Sequence, residues 1–466
     1  MADSPSVLFV CESYYLRFYA PLADRLHRSG FRPIWITLDG PSAWPYEMLD
    51  LSPAIDDLAA TQDAVGSPEL LDRLTLFERI VFGRPDTFKD NYSYTIKNVR
   101  TAERARLLAD AWYRATLALL DRFKPSGVFF WNGRYLPYSA LSAACQAAGQ
   151  LFFTSEIGWL PGTIFLDRGP LSTNTTDLAG RTFESVAETE LPRAVDFLQE
   201  YVTLRATMVS QTIAAAPAVR QRLLGGDGKF LLLYGCQVDW DTNVVIGARR
   251  FHSNESAVQF LTECVSAVPG ARVVVKTHPL DSDKKEERLR NVLGDRGTVV
   301  SDIHPHTLIE AADCVAIRNS TLGFEALCYG KPVMALEDAK YTHPRLTLGA
   351  DSIASGQLNV SSVFTRECRV PDPGTLRQFI VHLLDRYLVP GSYDYHFDRT
   401  TLGILSHFEK NQSHRDLEAL LNQAAPSTRV GSDPAVERAI AGCELRRATR
   451  SSSWSRRARR ILDRLS

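Results

Sequence analysis

The stretch that decides the fold is residues 313–337, DCVAIRNSTLGFEALCYGKPVMALE. Its first apolar run stops at the polar triplet Asn319 to Thr321, and a helical pattern then continues to Tyr329. Residues 330–332, Gly-Lys-Pro, end that pattern before a second apolar run. The stretch therefore predicts a strand, a loop, a helix and a strand, in that order.

The loop in this stretch carries residue types expected of an anion-binding site. Ser320 and Thr321 supply side-chain oxygens at the start of the helix, and Gly323 would leave room for a ligand near the N–H groups at its positive end. Glu325 lies one turn further on, where a carboxylate could accept hydrogen bonds from ribose hydroxyls. We expect Asn319 to Glu325 to bind a nucleotide phosphate and its ribose, although an ordinary capped βαβ unit would contain the same residues.

Length and composition limit the classes of protein. At 466 residues the chain exceeds what one hydrophobic core usually supports, so we expect two or three domains. The 53 basic and 54 acidic side chains nearly cancel, which gives no global reason to expect nucleic acid as a partner. The cysteines show no CxxC spacing, and the start of the chain has no basic signal region. No apolar run is long enough to span a bilayer, so these features predict a protein of the cytoplasm.

Both halves of the chain alternate apolar runs with helical patterns, which predicts two Rossmann-like α/β domains with a cleft between them. The glycine-rich residues 225–228 are the best candidate for a linker. We place the domains at residues 1–223 and 229–400, with C-terminal helices and a basic tail at 401–466. Ligands of open α/β sheets bind beyond the carboxyl ends of the strands, so polar residues that follow an apolar run are candidate site residues.

Two polar positions of the first domain follow predicted strands. Asn132 and Gly133 come after the apolar run 128–131, and Glu156 ends the unit that begins at Leu151. A carboxyl flanked by apolar groups has a raised pKa and can accept a proton near neutral pH. The alternatives are a plain turn at Asn132 and a solvated carboxylate at Glu156.

A dense polar cluster follows the first predicted strand of the second domain. Gln237, Asp239 and Asp241 come directly after the apolar run 230–234. An Asp-x-Asp pair can hold a divalent ion on a nucleotide sugar, but no further ligand candidate stands nearby in the sequence. We therefore expect these residues to contact substrate without a metal.

Lys276 and His278 follow the next predicted strand. Pro279 disfavours helix at the residue before it, so His278 should lie extended at the strand end. A histidine there could donate to a phosphate and assist a departing nucleotide. A purely structural histidine is the alternative.

Five motifs together resemble the bacterial capsule polysaccharide biosynthesis family, whose enzymes are similar to retaining transferases of 3-deoxy-manno-octulosonic acid (Kdo) with a GT-B fold. The motifs are Trp-Asn-Gly at 131–133, Glu156-x-Gly158 with Pro-Gly-Thr at 161–163, Gln237-x-x-x-Asp241, Lys276-x-His278-Pro279, and Asn319-Ser-Thr-x-Gly-x-Glu325 followed by Gly-Lys-Pro at 330–332. Asn243 departs from this pattern, because it stands where the family often has glutamine.

The resemblance implies a role for each matching residue. Asp241 would be the nucleophile or the stabiliser of the anomeric centre, and Glu156 the acid/base on the acceptor side. His278 would contact the phosphate of a CMP-activated donor, Ser320 and Thr321 would cap it, and Glu325 would hold the ribose.

The expected function is transfer of Kdo or a related ulosonic acid to a lipid-linked or oligosaccharide acceptor, with no cofactor beyond the nucleotide-sugar donor. The alternatives are an enzyme like UDP-N-acetylglucosamine 2-epimerase and a non-catalytic capsule assembly or export factor. Residues 446–464 carry eight arginines with Trp454, a pattern typical of a helix that binds anionic lipid or of a solvated tail. We therefore expect the protein in the cytoplasm, with a possible contact to the inner face of the membrane.

Overall fold

The computed structural model describes most of both predicted halves. The described residues are 4–38, 47–61, 65–82, 99, 101–170, 183–207, 213–226, 228–239, 241–266, 268–279, 283–349, 370–390, 406–408, 411–425, 433–441 and 443.

The first domain is built on a mostly parallel sheet. Its strands in this half are β1 (Ser6–Cys11), β2 (Arg32–Thr37), β3 (Glu47–Asp50), β4 (Gly127–Trp131), β5 (Phe152–Ile157) and β6 (Thr163–Arg168). The spatial order is β6-β5-β4-β1-β2-β3, and only β6 among these runs antiparallel to its neighbour. Strand β1 is buried along its whole length, which is why its sequence reads as a continuous apolar run.

Helices cover both faces of this sheet. They are α1 (Leu16–Arg28), α2 (Ser52–Thr61), α3 (Pro68–Leu74), α4 (Leu76–Phe82), α5 (Ala102–Phe123) and α6 (Tyr138–Ala147). Alternate residues of β1 point to opposite faces, so Leu8 and Val10 pack with α5 and α6, whereas Val7 and Phe9 pack with α1. Thr101 begins the long α5 by accepting a hydrogen bond from Arg104 N–H at 3.1 Å.

Helices α7 (Pro192–Leu204) and α8 (Ala216–Leu224) lead into the second domain. Its sheet contains β7 (Phe230–Gly235), β8 (Ala271–Lys276), β9 (Gly297–Val300), β10 (Cys314–Ile317), β11 (Val333–Ala335) and β12 (Leu348–Gly349). All described pairs are parallel, in the order β12-β11-β10-β7-β8-β9. The helices are α9 (Thr242–Val245), α10 (Asn254–Ser266), α11 (Asp283–Leu293), α12 (Pro305–Ala311), α13 (Thr321–Cys328) and α14 (Pro373–His382).

The fold is therefore the predicted one, a GT-B arrangement of two Rossmann-like domains around a cleft. The stretch 313–337 folds as predicted into β10, α13 and β11, because its apolar runs form buried strands and Ser320 caps the helix. Polar residues after β4 and β5 in one domain, and after β7, β8 and β10 in the other, line the same cavity.

The predicted domain boundaries need a correction at the C-terminal end. After a π-helical turn at Leu383–Tyr387, β13 (Leu388–Pro390) pairs antiparallel with β6 and so joins the first sheet. The range 229–400 therefore contains a strand of the first domain. A three-residue strand has too few positions to show a periodic pattern, and its partner lies more than two hundred residues earlier in the chain.

The described C-terminal helices also belong to the first domain. In α15 (Ser413–Gln423), Leu417 and Leu421 pack in the same core as Phe129. In α16 (Pro434–Ala441), Val436 and Ile440 pack in the core that contains α5. Residues 401–466 are thus no separate unit where the structure describes them.

Candidate functional site

A cavity of about 470 Å³ lies between the two domains. The first domain contributes Arg134, Glu156 and Trp159 to its lining. The second contributes Gln237, Asp241, Asn243, Lys276, His278, Asn319, Ser320, Thr321, Glu325 and Lys340. Most of the predicted site residues therefore meet in one place.

Glu156 lies near the carboxyl end of β5 and is held by Asn132. The side-chain amide of Asn132 donates to Glu156 Oε1 and, at 3.0 Å, to Thr242 Oγ1 of the other domain. Burial is the main cause that raises the pKa of Glu156 to about 7, and the charge of Asp241 raises it further. Glu156 is therefore suited to exchange a proton near neutral pH.

Asp241 begins α9 as its N-cap. Its Oδ1 accepts the backbone N–H of Asn243 at 2.8 Å, which fixes the carboxyl at the edge of the cavity. Burial raises the pKa of Asp241, while this hydrogen bond and the charges of Arg318 and Arg134 oppose the increase. The Asp241 carboxylate therefore lies at the cavity wall, and one hydrogen bond and two cations favour its ionised form.

Gln237 and Asn319 hold each other through two hydrogen bonds. Gln237 Nε2 donates to Asn319 Oδ1 at 2.8 Å, and Asn319 N–H donates to Gln237 Oε1 at 3.1 Å. Asn319 Nδ2 then donates to the carbonyl of Asn243 at 2.9 Å. This network links the loop before α13 to the helix that carries Asp241.

The loop before α13 places Ser320 and Thr321 at the cavity, as expected from the sequence, with Ser320 Oγ accepting from Leu322 N–H at 3.3 Å. Glu325 also lines the cavity, and burial raises its pKa to about 7. His306 Nε2 lies 3.8 Å from Glu325 Oε2, but burial lowers the pKa of His306 to about 3, so this contact is not an ion pair at neutral pH.

The structure gives a packing reason for glycine at position 323. Gly323 is buried and is not among the lining residues. A Cβ at this position would lie 2.6 Å from Cζ of Tyr341, whose hydroxyl donates to the carbonyl of Ser320. Glycine is therefore required by the packing of Tyr341 against the helix, a tertiary contact that local sequence does not show.

His278 and Lys276 both line the cavity after β8. His278 is partly exposed, at the strand end where the sequence predicted it. Lys276 is buried, and its ammonium donates to the carbonyl of Ser301 at 2.6 Å. The lysine thus ties β8 to the end of β9 as well as lining the cavity.

Asp239 is not among the lining residues, in contrast to the sequence expectation of a substrate contact. Its carboxylate lies 3.0 Å from the ammonium of Lys285 and 3.6 Å from the guanidinium of Arg318. Arg318 is fully buried and also donates to Asn254 Oδ1 at 3.0 Å. Asp239 therefore balances the charges of two buried cations, Lys285 and Arg318.

Two cationic residues of the cavity were missed by the sequence analysis. Arg134 directly follows the predicted Asn132-Gly133 pair, so the rule of polar strand ends would have found it. Lys340 follows β11, and its ammonium lies 2.7 Å from Asp167 Oδ2 and 2.9 Å from the hydroxyl of Tyr387. No local pattern reports this contact, since the three residues come from distant parts of the chain.

Within the ranges that the structure describes, no group of three or more His, Cys, Asp or Glu side chains is arranged to hold a metal ion. None of the described helices is long and apolar enough to cross a bilayer. The arginine-rich tail at 446–464 lies outside the described residues.

These features define a two-domain GT-B protein whose cleft brings together the carboxyls of Glu156 and Asp241, an Asn-Ser-Thr helix start and the cations Arg134 and Lys340. Residues 169–357 match the family model of the capsule polysaccharide biosynthesis protein. This match confirms the resemblance inferred from the sequence, over a range that contains Asp241, His278 and Asn319 but not Glu156.

Several known proteins are similar to this chain. Protein FixF of Sinorhizobium fredii (strain NBRC 101917 / NGR234) is 27% identical over 315 residues, which cover 63% of this chain and 68% of FixF. The beta Kdo 2,4 transferase of Thermosulfurimonas dismutans KpsC is 17% identical, with 55% of this chain and 78% of that chain covered and a TM-score of 0.38. The UDP-GlcNAc 2-epimerase of Neisseria meningitidis is 13% identical, with 90% and 100% covered and a TM-score of 0.34.

Proposed function

We propose that the protein is a glycosyltransferase of capsule or surface polysaccharide biosynthesis, which transfers Kdo or a related ulosonic acid from a CMP-sugar to a lipid-linked or oligosaccharide acceptor. The observation that carries the proposal is the pair Asp241 and Glu156. These carboxyls come from different domains, line one cavity and interact through their charges. The family match of residues 169–357 supports the link to capsule polysaccharide.

The second domain holds the donor in this proposal. The start of α13 at Ser320 and Thr321 receives the phosphate, because N–H groups and the helix dipole favour an anion there. His278 donates to the same phosphate from the end of β8, and Glu325 accepts hydrogen bonds from the ribose. The first domain then presents the acceptor beside Glu156.

Asp241 acts first, as the nucleophile. One of its carboxylate oxygens forms a bond to the anomeric carbon of the donor, while the bond from that carbon to the phosphate oxygen breaks. CMP leaves with the electron pair of the broken bond. The hydrogen bond from Asn243 N–H at 2.8 Å keeps the attacking carboxylate oriented.

Glu156 acts second, as the base. It takes the proton of an acceptor hydroxyl while that oxygen attacks the anomeric carbon, and Asp241 leaves as a carboxylate. Two displacements at one carbon give retention of configuration. Because Asp241 is uncharged while esterified, its contribution to the raised pKa of Glu156 disappears, so Glu156 is more fully ionised when a base is needed.

The proposed chemistry uses no metal and no cofactor beyond the donor. Asp239, the other half of the Asp-x-Asp pair, is engaged with Lys285 and Arg318. Activity should therefore persist in EDTA. Complete loss of activity that Mn²⁺ restores would instead assign Asp239 and Asp241 as metal ligands.

A nucleotide binding screen tests the donor assignment. CMP should raise the Tm of the protein more than UMP or GMP, and saturation at 100 times its Kd corresponds to about 2.7 kcal/mol of stabilisation. Preference for UDP would favour an activity like that of the 2-epimerases. Binding of CMP without transfer to any glycan acceptor would favour the non-catalytic assembly factor.

A further inference from the structure

Arg134 lines the cavity at the boundary between the two domains. It belongs to the first domain, and its Nη1 lies 3.5 Å from Asn243 Oδ1 of the second. Asn243 is the residue whose N–H orients Asp241. The guanidinium is therefore next to the side chain of the residue whose backbone N–H holds the proposed nucleophile.

The backbone before Arg134 is shaped for this position. Asn132 and Gly133 both have left-handed φ values, of 53° and 79°. A Cβ at Gly133 would lie 2.8 Å from Thr154 Cγ2, so the close approach as well as the φ value requires glycine. This turn takes the chain out of β4 and brings Arg134 to the cavity wall.

Three carboxyls act on the charge of Arg134. The charges of Glu156, Asp241 and Asp167 raise the pKa of Arg134, but burial is the larger effect and lowers it. Asp167 is already paired with Lys340 at 2.7 Å, and Glu156 has a pKa of about 7. Once Asp241 is esterified it carries no charge, and a sugar carboxylate already bound to Arg134 would then replace the anion that Arg134 has lost.

We propose that Arg134 recognises the carboxylate of the donor sugar, a role that rests on the proposed transfer of an ulosonic acid. In such a sugar the carboxylate carbon is bonded directly to the anomeric carbon. A donor whose anomeric carbon is within reach of Asp241 therefore holds its carboxylate one bond from that carbon, inside the cavity that Asp241 and Arg134 both line. The planar guanidinium can donate two parallel hydrogen bonds to this group and so select donors that carry it.

The test measures, for each Arg134 variant, kcat/KM for CMP-Kdo as donor and the inhibition constant of CMP. In Arg134→Gln, kcat/KM for CMP-Kdo should fall by about 10- to 100-fold, the loss expected for hydrogen bonds to a charged group. The inhibition constant of CMP should not change, because CMP has no sugar carboxylate. Arg134→Lys should recover part of the loss, since it keeps the charge but not the paired donors.

Arg28→Gln is the matched control. Arg28 is an exposed arginine of α1 that pairs with Asp24, so its loss should change neither constant. The assignment would be overturned if Arg134→Gln left kcat/KM for CMP-Kdo unchanged. It would also be overturned if the substitution weakened CMP inhibition by the same factor as kcat/KM. A wild-type protein that neither binds CMP nor uses CMP-Kdo would overturn the proposed function itself, a result that is distinct from an insensitive variant.

Discussion

Glu156 shows how neighbours from both domains set the behaviour of one carboxyl. Burial raises its pKa, the charge of Asp241 raises it further, and the hydrogen bond from Asn132 lowers it. The sequence predicted the first effect, because apolar residues surround Glu156 in the chain. It could not predict the size of the other two effects. The charge of Asp241 acts from the other domain, and Asn132 also donates to Thr242 of that domain.

The pH profile of transfer should report this environment. Because Glu156 must be ionised to act as a base, the rate should rise with pH and level off near pH 7, with a midpoint below about 7 because esterified Asp241 no longer raises the pKa of Glu156. In Asn132→Ala the hydrogen bond that favours the ionised form is lost, so the midpoint should move to higher pH.

Thr242→Val is the matched control for this profile. It removes the other partner of Asn132 and leaves the bond to Glu156 in place, so it should move the midpoint less. A midpoint that stays at the wild-type pH in Asn132→Ala would show that another group limits the rate.

Helix α13 shows what a sequence pattern reveals about an element and what it omits. Its bounds followed from the apolar runs and from Gly330, and its N-cap from Ser320. The purpose of Gly323 did not follow, because Tyr341 packs on it from a later loop. The rule that site residues follow the carboxyl ends of strands also predicted His278 and Asn319, which line the cavity. This rule depends on the sheet topology alone.

Gly323→Ala should destabilise the protein through this contact. The added Cβ would meet the ring of Tyr341, and overpacking of this kind typically costs about 1–3 kcal/mol. Chemical denaturation of the variant should show the loss as a lower free energy of unfolding.

The control is Gly349→Ala, at a glycine of β12 in the same domain, where an added Cβ meets nothing within 4 Å. It should change the free energy of unfolding by no more than about 0.5 kcal/mol. A Gly323→Ala protein of normal stability that fails to bind nucleotide would restore the interpretation that Gly323 admits a ligand.

At the scale of the whole molecule, the sequence predicted the two domains but not the C-terminal segments that return to the first domain. Each domain is a series of local strand and helix patterns, which the sequence displays directly. The return of β13 to β6, and of α15 and α16 to the first domain, depends on contacts between distant segments. Arg114 Nη1 and Asp433 Oδ2, 2.9 Å apart, are one such contact.

The basic tail is expected to bind membranes without taking part in catalysis. Eight arginines between residues 446 and 464 should attract anionic lipid, at about 1 kcal/mol for each charge near the surface. Deletion of residues 446–466 should therefore weaken binding to phosphatidylserine-containing liposomes and leave transfer to a soluble acceptor unchanged. If the deletion left liposome binding unchanged, the tail would be a solvated segment without a membrane contact.

The role of Asp241 is the central claim for the molecule, and the transfer rate of Asp241→Asn tests it most directly. The substitution keeps the size of the side chain and its hydrogen bond to Asn243 N–H but removes the nucleophile. We predict that kcat falls by several orders of magnitude while CMP binding persists, because the substitution leaves Ser320, Thr321 and His278, the proposed phosphate ligands, unchanged. Transfer by Asp241→Asn at a rate near that of the wild-type protein would contradict the account.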